Sequence, residues 1–149
     1  MIVDIVPVRA EDAETLVALA RGFHAEEGRV LDTAGEAALV AITQGEPFAR
    51  AWLVRTGSET LGYLIITLGY SVEYGGRDGF IDDLYLVADA RGRGLGRQVL
   101  EFAFARAEEL GVRTLHLQVA MENERATRLY RASGFEETGR RLMRRRVID

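Results

Sequence analysis

Six residues near the middle of the chain, Arg91-Gly92-Arg93-Gly94-Leu95-Gly96, combine glycine and arginine in a way that suits anion binding. They fall between an apolar strand and the amino end of a helix, where successive free N–H groups point outward and glycines let a phosphate approach the backbone. Arg91, Arg93 and Arg97 flank the turn and can add charge-assisted contacts to a pyrophosphate. A dinucleotide fingerprint needs a third glycine where Arg97 stands, and a Walker loop needs Gly-Lys-Ser/Thr, so both are disfavoured. Just upstream, Phe80–Val87 reads FIDDLYLV, an apolar run broken by the adjacent carboxylates Asp82 and Asp83. Central strands seldom hold two acids, which makes the pair a candidate for proton handling. Neighbours on a strand point to opposite faces, so only one of them enters a given cleft unless a bulge turns them. The plainer alternative is a buried acid paired with an arginine or with backbone amides.

The composition bounds what these groups can be part of. The chain has 149 residues, 48% hydrophobic and 28% charged, with a net charge of −4, which suits one soluble globular domain over residues 1–149 and excludes a disordered or fibrous chain. Cysteine is absent, so there is no disulfide framework, thiolate zinc site or cysteine nucleophile, and a reducing cytoplasm is the expected compartment. The two histidines, His24 and His116, stand in no ligand spacing, so a metal site would have to be built from carboxylates, and no metal is expected; His116 reads as structural and His24 as surface. Met1–Arg9 does not read as a targeting segment, and no apolar run approaches the roughly 20 residues of a membrane span. The acidic balance argues against nucleic acid as a partner and fits a cationic substrate.

The elements that must position these groups follow from periodicity and punctuation. Ile2–Val8 reads as a strand, and Glu11-Asp12-Ala13-Glu14 places carboxylates at the start of a helix carrying Leu16, Val17, Leu19 and Ala20. Asp32-Thr33 caps a second helix to about Thr43. Arg50–Arg55 and Thr60–Leu68 read as a hairpin, followed by a loop over Gly69–Gly79 and the strand Phe80–Val87. A helix runs from the glycine turn to Gly111, then a strand Thr114–Val119, a short helix Asn123–Ala132 ended by Gly134, and a closing hairpin of Phe135–Thr138 with Leu142–Ile148. The predicted architecture is α/β, one layer of mixed sheet with helices on both faces. Trp52 and Phe48 read as core.

With strand before, helix after, and Asn123, Leu129-Tyr130 and Gly134-Phe135 downstream, the chain resembles the GNAT superfamily of acyl-coenzyme A dependent N-acetyltransferases over nearly its whole length. The stretch FIDDLYLVADARGRGLG is similar to the corresponding part of its spermidine/spermine-type and related small-amine members. The resemblance implies a mostly antiparallel sheet splayed between its fourth and fifth strands. It implies acetyl-CoA as co-substrate, its pyrophosphate on Arg91, Gly92, Arg93, Gly94, Leu95 and Gly96 with help from Arg97, its pantetheine arm on backbone groups at Leu86 and Val87, and a further contact from Asn123.

Acetyl transfer to an amine needs a neutral amine, a polarised carbonyl and a proton for the departing thiolate. The resemblance favours Asp82 as base or water-holder and Asp83 as contact for the substrate cation, an assignment that can be exchanged, and makes Tyr130 the general acid. Tyr85, Glu73 and Tyr74, with Tyr70 and Asp78, are expected to line an acidic, aromatic acceptor mouth that Glu26 and Glu27 could join. The favoured acceptor is a small cationic primary amine; a protein N-terminus or lysine, or a non-catalytic acyl-CoA-binding role, are the alternatives. The arginine-rich end, Arg140, Arg141, Arg144, Arg145 and Arg146, reads as a solvated hairpin or a contact in a homodimer.

Overall fold

The computed structural model describes residues 2–148. They form two compact units, one ending at Gln118 and one beginning at Val119. In the first, β1 (Asp4–Pro7) is followed by α1 (Ala13–Glu26), α2 (Thr33–Thr43), β2 (Ala49–Thr56), β3 (Glu59–Ser71), β4 (Gly76–Leu86), α3 (Leu95–Glu109) and β5 (Leu115–Leu117). The sheet runs β1-β2-β3-β4-β5, antiparallel except for the β4–β5 pair. The start of α2 follows the capping logic of the sequence, the Asp32 carboxylate accepting from the Gly35 N–H at 2.7 Å; in the turn that leads into α1 the Asp12 carboxylate instead accepts from the Arg9 N–H behind it at 2.8 Å.

Alternation along the strands divides the core in two. Ala51, Leu53, Tyr63, Ile65 and Tyr85 face α1 and α2, packing on Leu16, Val17, Ala20 and Leu39. Their neighbours take the other face, where Trp52 meets Phe102 of α3 edge-on at 5.6 Å and Leu95, Val99, Leu100, Ala103 and Ala107 are buried. Each large apolar side chain so buried contributes roughly 1.5–3 kcal/mol, which is why a sheet covered on both faces needs no disulfide.

Three expectations are corrected. Gly69–Gly79 is not a loop: β3 and β4 pair through Leu68–Gly79, Gly69–Asp78, Tyr70–Arg77 and Ser71–Gly76, leaving only a tight turn at Val72–Gly75. Its glycines mark close approach as well as turning, for a Cβ on Gly79 would lie 2.8 Å from the Thr67 carbonyl oxygen. Phe48, expected in the core, is 70% exposed, because it precedes β2 rather than lying within it. Among the described residues no strand forms after β5, so the closing hairpin is not there. That segment is exposed nearly throughout, and five arginines with few β-branched residues make a poor two-stranded ribbon, a structure marginal even for good formers.

In the second unit, α4 (Glu124–Ala132) is capped by the Asn123 side chain, which accepts from Ala126 N–H at 3.1 Å. Gly134 stops the helix in the left-handed region at φ 97°, and the Phe135 N–H returns to the Tyr130 carbonyl at 3.0 Å. The Tyr130 and Phe135 rings meet edge-on at 5.9 Å.

Candidate active site

β4 is longer than the strand beside it. Its parallel pairing with β5 covers Gly79–Leu115, Phe80–His116 and Ile81–Leu117 and goes no further, while β4 continues to Leu86. Val87 N–H bonds the Leu61 carbonyl at 2.8 Å, so the backbone groups of Val87, Tyr85 and Asp83 face β3. By the same alternation Leu84 and Leu86 turn theirs toward the side that β5 leaves open. Of the two backbone positions expected to meet a cofactor arm, Leu86 faces this gap and Val87 does not; both Val87 groups are used, its carbonyl by Ala90 N–H at 2.9 Å. Leu84, which the sequence reading passed over, faces the gap beside Leu86.

The glycine turn follows directly. Gly92 and Gly94 sit at φ 77° and 78°, a left-handed conformation that L side chains adopt only with strain, and Gly94 is the cap from which α3 begins. The first N–H groups of α3, on Leu95, Gly96 and Arg97, have no carbonyl within the helix to bond, and the positive end of the helix dipole adds to their pull on an anion. Arg93 and Arg97 stand exposed at this turn, Arg97 at 3.4 Å from Glu101. Arg91 is engaged inward instead, donating from Nε to the Leu86 carbonyl at 2.9 Å and from Nη2 to Glu26 at 2.7 Å.

A register shift separates the two aspartates. Ile65 pairs with Asp83 and the next residue, Ile66, with Ile81, so Asp82 is an extra residue without a partner on β3. Partners share a face; Ile81 therefore follows Ile66 to the α3 side, while Asp83 joins Ile65, Tyr63 and Tyr85 on the side of α1. The bulge leaves Asp82 exposed and turns Asp83 half inward. There the Tyr63 hydroxyl donates to Asp83 Oδ2 at 2.7 Å. Burial pushes the Asp83 carboxyl up to about 6; the Tyr63 hydrogen bond opposes the rise, the charge of Asp82 adds to it, and His24 and Arg29 oppose it more weakly. Burial and the neighbouring aspartate hold the Tyr63 phenol far above its ordinary value, so it remains a donor.

The expected acceptor mouth divides into two clusters. Tyr85 is buried with its hydroxyl on Glu26 Oε2 at 2.6 Å, and burial together with that carboxylate raises its phenol. Tyr74 and Asp78 instead surround His116: the Tyr74 ring lies 4.7 Å from it, Phe80 lies 5.0 Å away, and Asp78 Oδ2 is 3.2 Å from Nε2. Glu73 is exposed in the β3–β4 turn, and Tyr70 is exposed on β3. Tyr63 was overlooked because an aromatic in an apolar strand carries the same signal whether it packs or donates. Among the described residues, no group of three or more His, Asp or Glu side chains is placed to hold a metal, and no helix is long and apolar enough to cross a membrane.

A five-stranded sheet opened beside a strand-turn-helix, with a half-buried carboxylate on the strand that leads into the turn, is an arrangement that suits an acyl-carrier-dependent transferase. The chain belongs to the acetyltransferase (GNAT) family, which residues 14–135 match. It is 39% identical over 51 residues to a D-amino-acid N-acetyltransferase of Saccharomyces cerevisiae, covering 34% of this chain and 32% of that protein. It is 31% identical over 81 residues to thialysine N-epsilon-acetyltransferase of Bos taurus, covering 54% and 47%. The matched segments thus span less than half the length of these curated relatives. Among solved structures, an integron cassette protein from the mobile metagenome of Cole Harbour Salt Marsh superimposes with a TM-score of 0.82 at 34% identity, over 97% of this chain and 91% of the other.

Proposed function

We propose that the protein transfers an acetyl group from acetyl-CoA directly to a primary amine on a small molecule that is cationic when protonated. The observation that carries the reading is Asp83: a half-inward carboxyl, hydrogen-bonded to Tyr63 and raised to about 6, on the strand whose edge opens beside the glycine turn. An alkyl amine with a pKa of roughly 10 is almost wholly protonated at neutral pH and must lose a proton before it can attack. A carboxylate basic enough to take that proton, directly or through one water, and ionised above pH about 6 is suited to the task. The roles favoured from sequence are therefore exchanged: Asp83 is the base, and Asp82, exposed in the bulge, contacts the substrate cation.

The amine nitrogen then attacks the thioester carbonyl carbon. Backbone N–H groups of Leu84 and Leu86 in the gap hold the pantetheine arm and polarise that carbonyl. As the carbon–sulfur bond breaks, the thiolate of CoA takes a proton from the Tyr130 phenol, a role assigned from the family resemblance, and the nitrogen gives up its second proton to the phenolate, leaving a neutral amide. The pyrophosphate lies on the amides of Gly92 to Gly96 with Arg93 and Arg97, and Asn123 contributes a further contact. Family relatives named for D-amino acids and thialysine both act on small amines, which supports the acceptor class.

Thiol release from acetyl-CoA across polyamines, diamino acids, aminoglycosides and short peptides tests this. Release with one of the small-molecule classes is expected. Release with peptides alone overturns the acceptor class in favour of a protein acetyltransferase, and CoA binding without release for any amine overturns turnover itself.

A further inference from the structure

Glu26, the last residue of α1, holds together two parts of the chain that serve different substrates in the reading above, on which this inference rests. Its Oε2 accepts from the Tyr85 hydroxyl at 2.6 Å and its Oε1 from Arg91 Nη2 at 2.7 Å. Arg91 in turn donates from Nε to the Leu86 carbonyl at 2.9 Å, and its guanidinium lies 5.6 Å from the centre of the Tyr85 ring. The result is a closed loop of contacts through the end of α1, the gap-facing end of β4 and the first residue of the glycine turn. Helix α1 comes close enough for this because residue 22 is glycine; a Cβ there would sit 3.3 Å from the Tyr85 hydroxyl oxygen.

An ion pair this exposed contributes little to stability, with 31% of the Arg91 and 42% of the Glu26 side chain accessible. What it determines is geometry. Both contacts are charge-assisted, and each carboxylate oxygen is committed to a different partner. Arg91 is thereby held against the strand end instead of reaching outward, which sets where the amides of the following turn present themselves. It also occupies the Leu86 carbonyl, so that at the end of β4 the gap offers chiefly the Leu86 N–H, a donor. The same carboxylate fixes the Tyr85 phenol on the sheet face that carries Asp83.

We infer that Glu26 is a positioning residue for both substrates: through Arg91 it orients the turn that binds the cofactor pyrophosphate, and through Tyr85 it orients the acceptor side of the site. It touches neither substrate. Removing it loosens the turn and frees Tyr85 together, and its effect on the cofactor is exerted only through Arg91.

Calorimetric titration of CoA into the wild type, Glu26→Ala, Arg91→Ala and the double variant tests this without turnover, alongside acceptor kinetics. Glu26→Ala is expected to weaken CoA binding by about 5- to 10-fold, and the double variant to bind no more weakly than Arg91→Ala alone, since contacting residues are non-additive. Acceptor KM is expected to rise several-fold with kcat within about 2-fold, a split that a general loosening of the fold would not produce. Unchanged CoA affinity in Glu26→Ala, or effects of Glu26→Ala and Arg91→Ala that multiply, overturns the inference. Glu26→Gln, which keeps the side-chain volume but only one acceptor for its two donors, serves if the alanine variant does not fold; wild-type CoA affinity and wild-type acceptor KM together in that variant also overturn the inference. A wild-type protein that fails to bind CoA refutes the acetyl-CoA reading instead, and is separable from these outcomes because it appears in the unmutated chain.

Discussion

The Tyr63 hydroxyl stands 2.7 Å from Asp83 Oδ2 across the β3–β4 pair, a donor held protonated by burial against an acid raised by it. This bond favours the ionised form of Asp83, and so sets the lower edge of the pH range in which the carboxylate can accept a proton.

With Asp83 near 6, kcat/KM is expected to fall as pH drops through about 6. Tyr63→Phe removes the one hydrogen bond that lowers this value, so the acidic limb is expected to move to higher pH. A pH profile of kcat/KM for the two proteins decides it; an unmoved limb would assign that ionisation to another group.

Asp83 also leaves a mark on stability. Its folded value, about 6, lies above that of the unfolded chain, roughly 3.9, so the native state binds the proton more tightly. The associated stability is fully present below pH about 4 and is lost as pH rises through about 6. The displacement corresponds to about 3 kcal/mol, reduced to about 2 for the partly accessible site. Asp83→Asn is therefore expected to be about 2 kcal/mol more stable than wild type at pH 8 and equal to it near pH 3, while losing on the order of 100-fold or more in kcat. Urea melts at the two pH values measure the first, steady-state rates the second.

Gly62 lies where β3 and β4 approach most tightly: a Cβ there would fall 2.0 Å from the Tyr85 carbonyl oxygen. Backbone cannot yield as a side chain can, so Gly62→Ala is expected to cost roughly 2–4 kcal/mol, or to prevent folding, by forcing β4 away at the site itself. Thermal unfolding reads this directly, and a variant as stable as wild type would mean that the two strands separate freely.

Gly94 and Gly45 form a matched pair for testing the turn. Both have positive φ, 78° and 96°, and a Cβ on either meets nothing within 4 Å. Each Gly→Ala change is expected to cost about 1–2 kcal/mol in backbone strain. Only Gly94→Ala is expected to weaken CoA binding as well, by about 10-fold, because only that glycine starts α3. Equal CoA affinities in the two variants would remove the pyrophosphate from this turn.

Tyr130→Phe tests the proton for the leaving thiolate. A general acid predicts a loss of on the order of 100-fold in kcat with CoA affinity unchanged. Unimpaired turnover would return Tyr130 to a packing role against Phe135 on α4.

Much of the fold was legible in local pattern. The helix cap at Asp32, the Gly134 stop, the buried Trp52 and the strand-turn-helix around Arg91–Gly96 all rest on interactions within a few residues, which spacing reveals. Other readings failed where a local signal has two causes. Glycines at 69, 75, 76 and 79 read as a loop, yet Gly75 bends a tight turn, Gly76 already pairs in β4, and Gly79 lets strands close on each other. The arginine-rich end, read as a closing hairpin, does not offer the apolar cross-strand pairs that hold one.

Sequence by itself determined that two acids sit in one apolar strand ahead of a glycine turn, because residue type and short-range spacing are properties of the chain. Which acid turns inward was decided only by tertiary structure. The answer depends on a one-residue shift between Ile65–Asp83 and Ile66–Ile81, and register is fixed by how two strands pack, not by either strand alone. In the same way Tyr63 reaches Asp83 across 20 positions and Arg91 reaches Glu26 across 65, separations at which periodicity carries no information and only the folded core brings partners together.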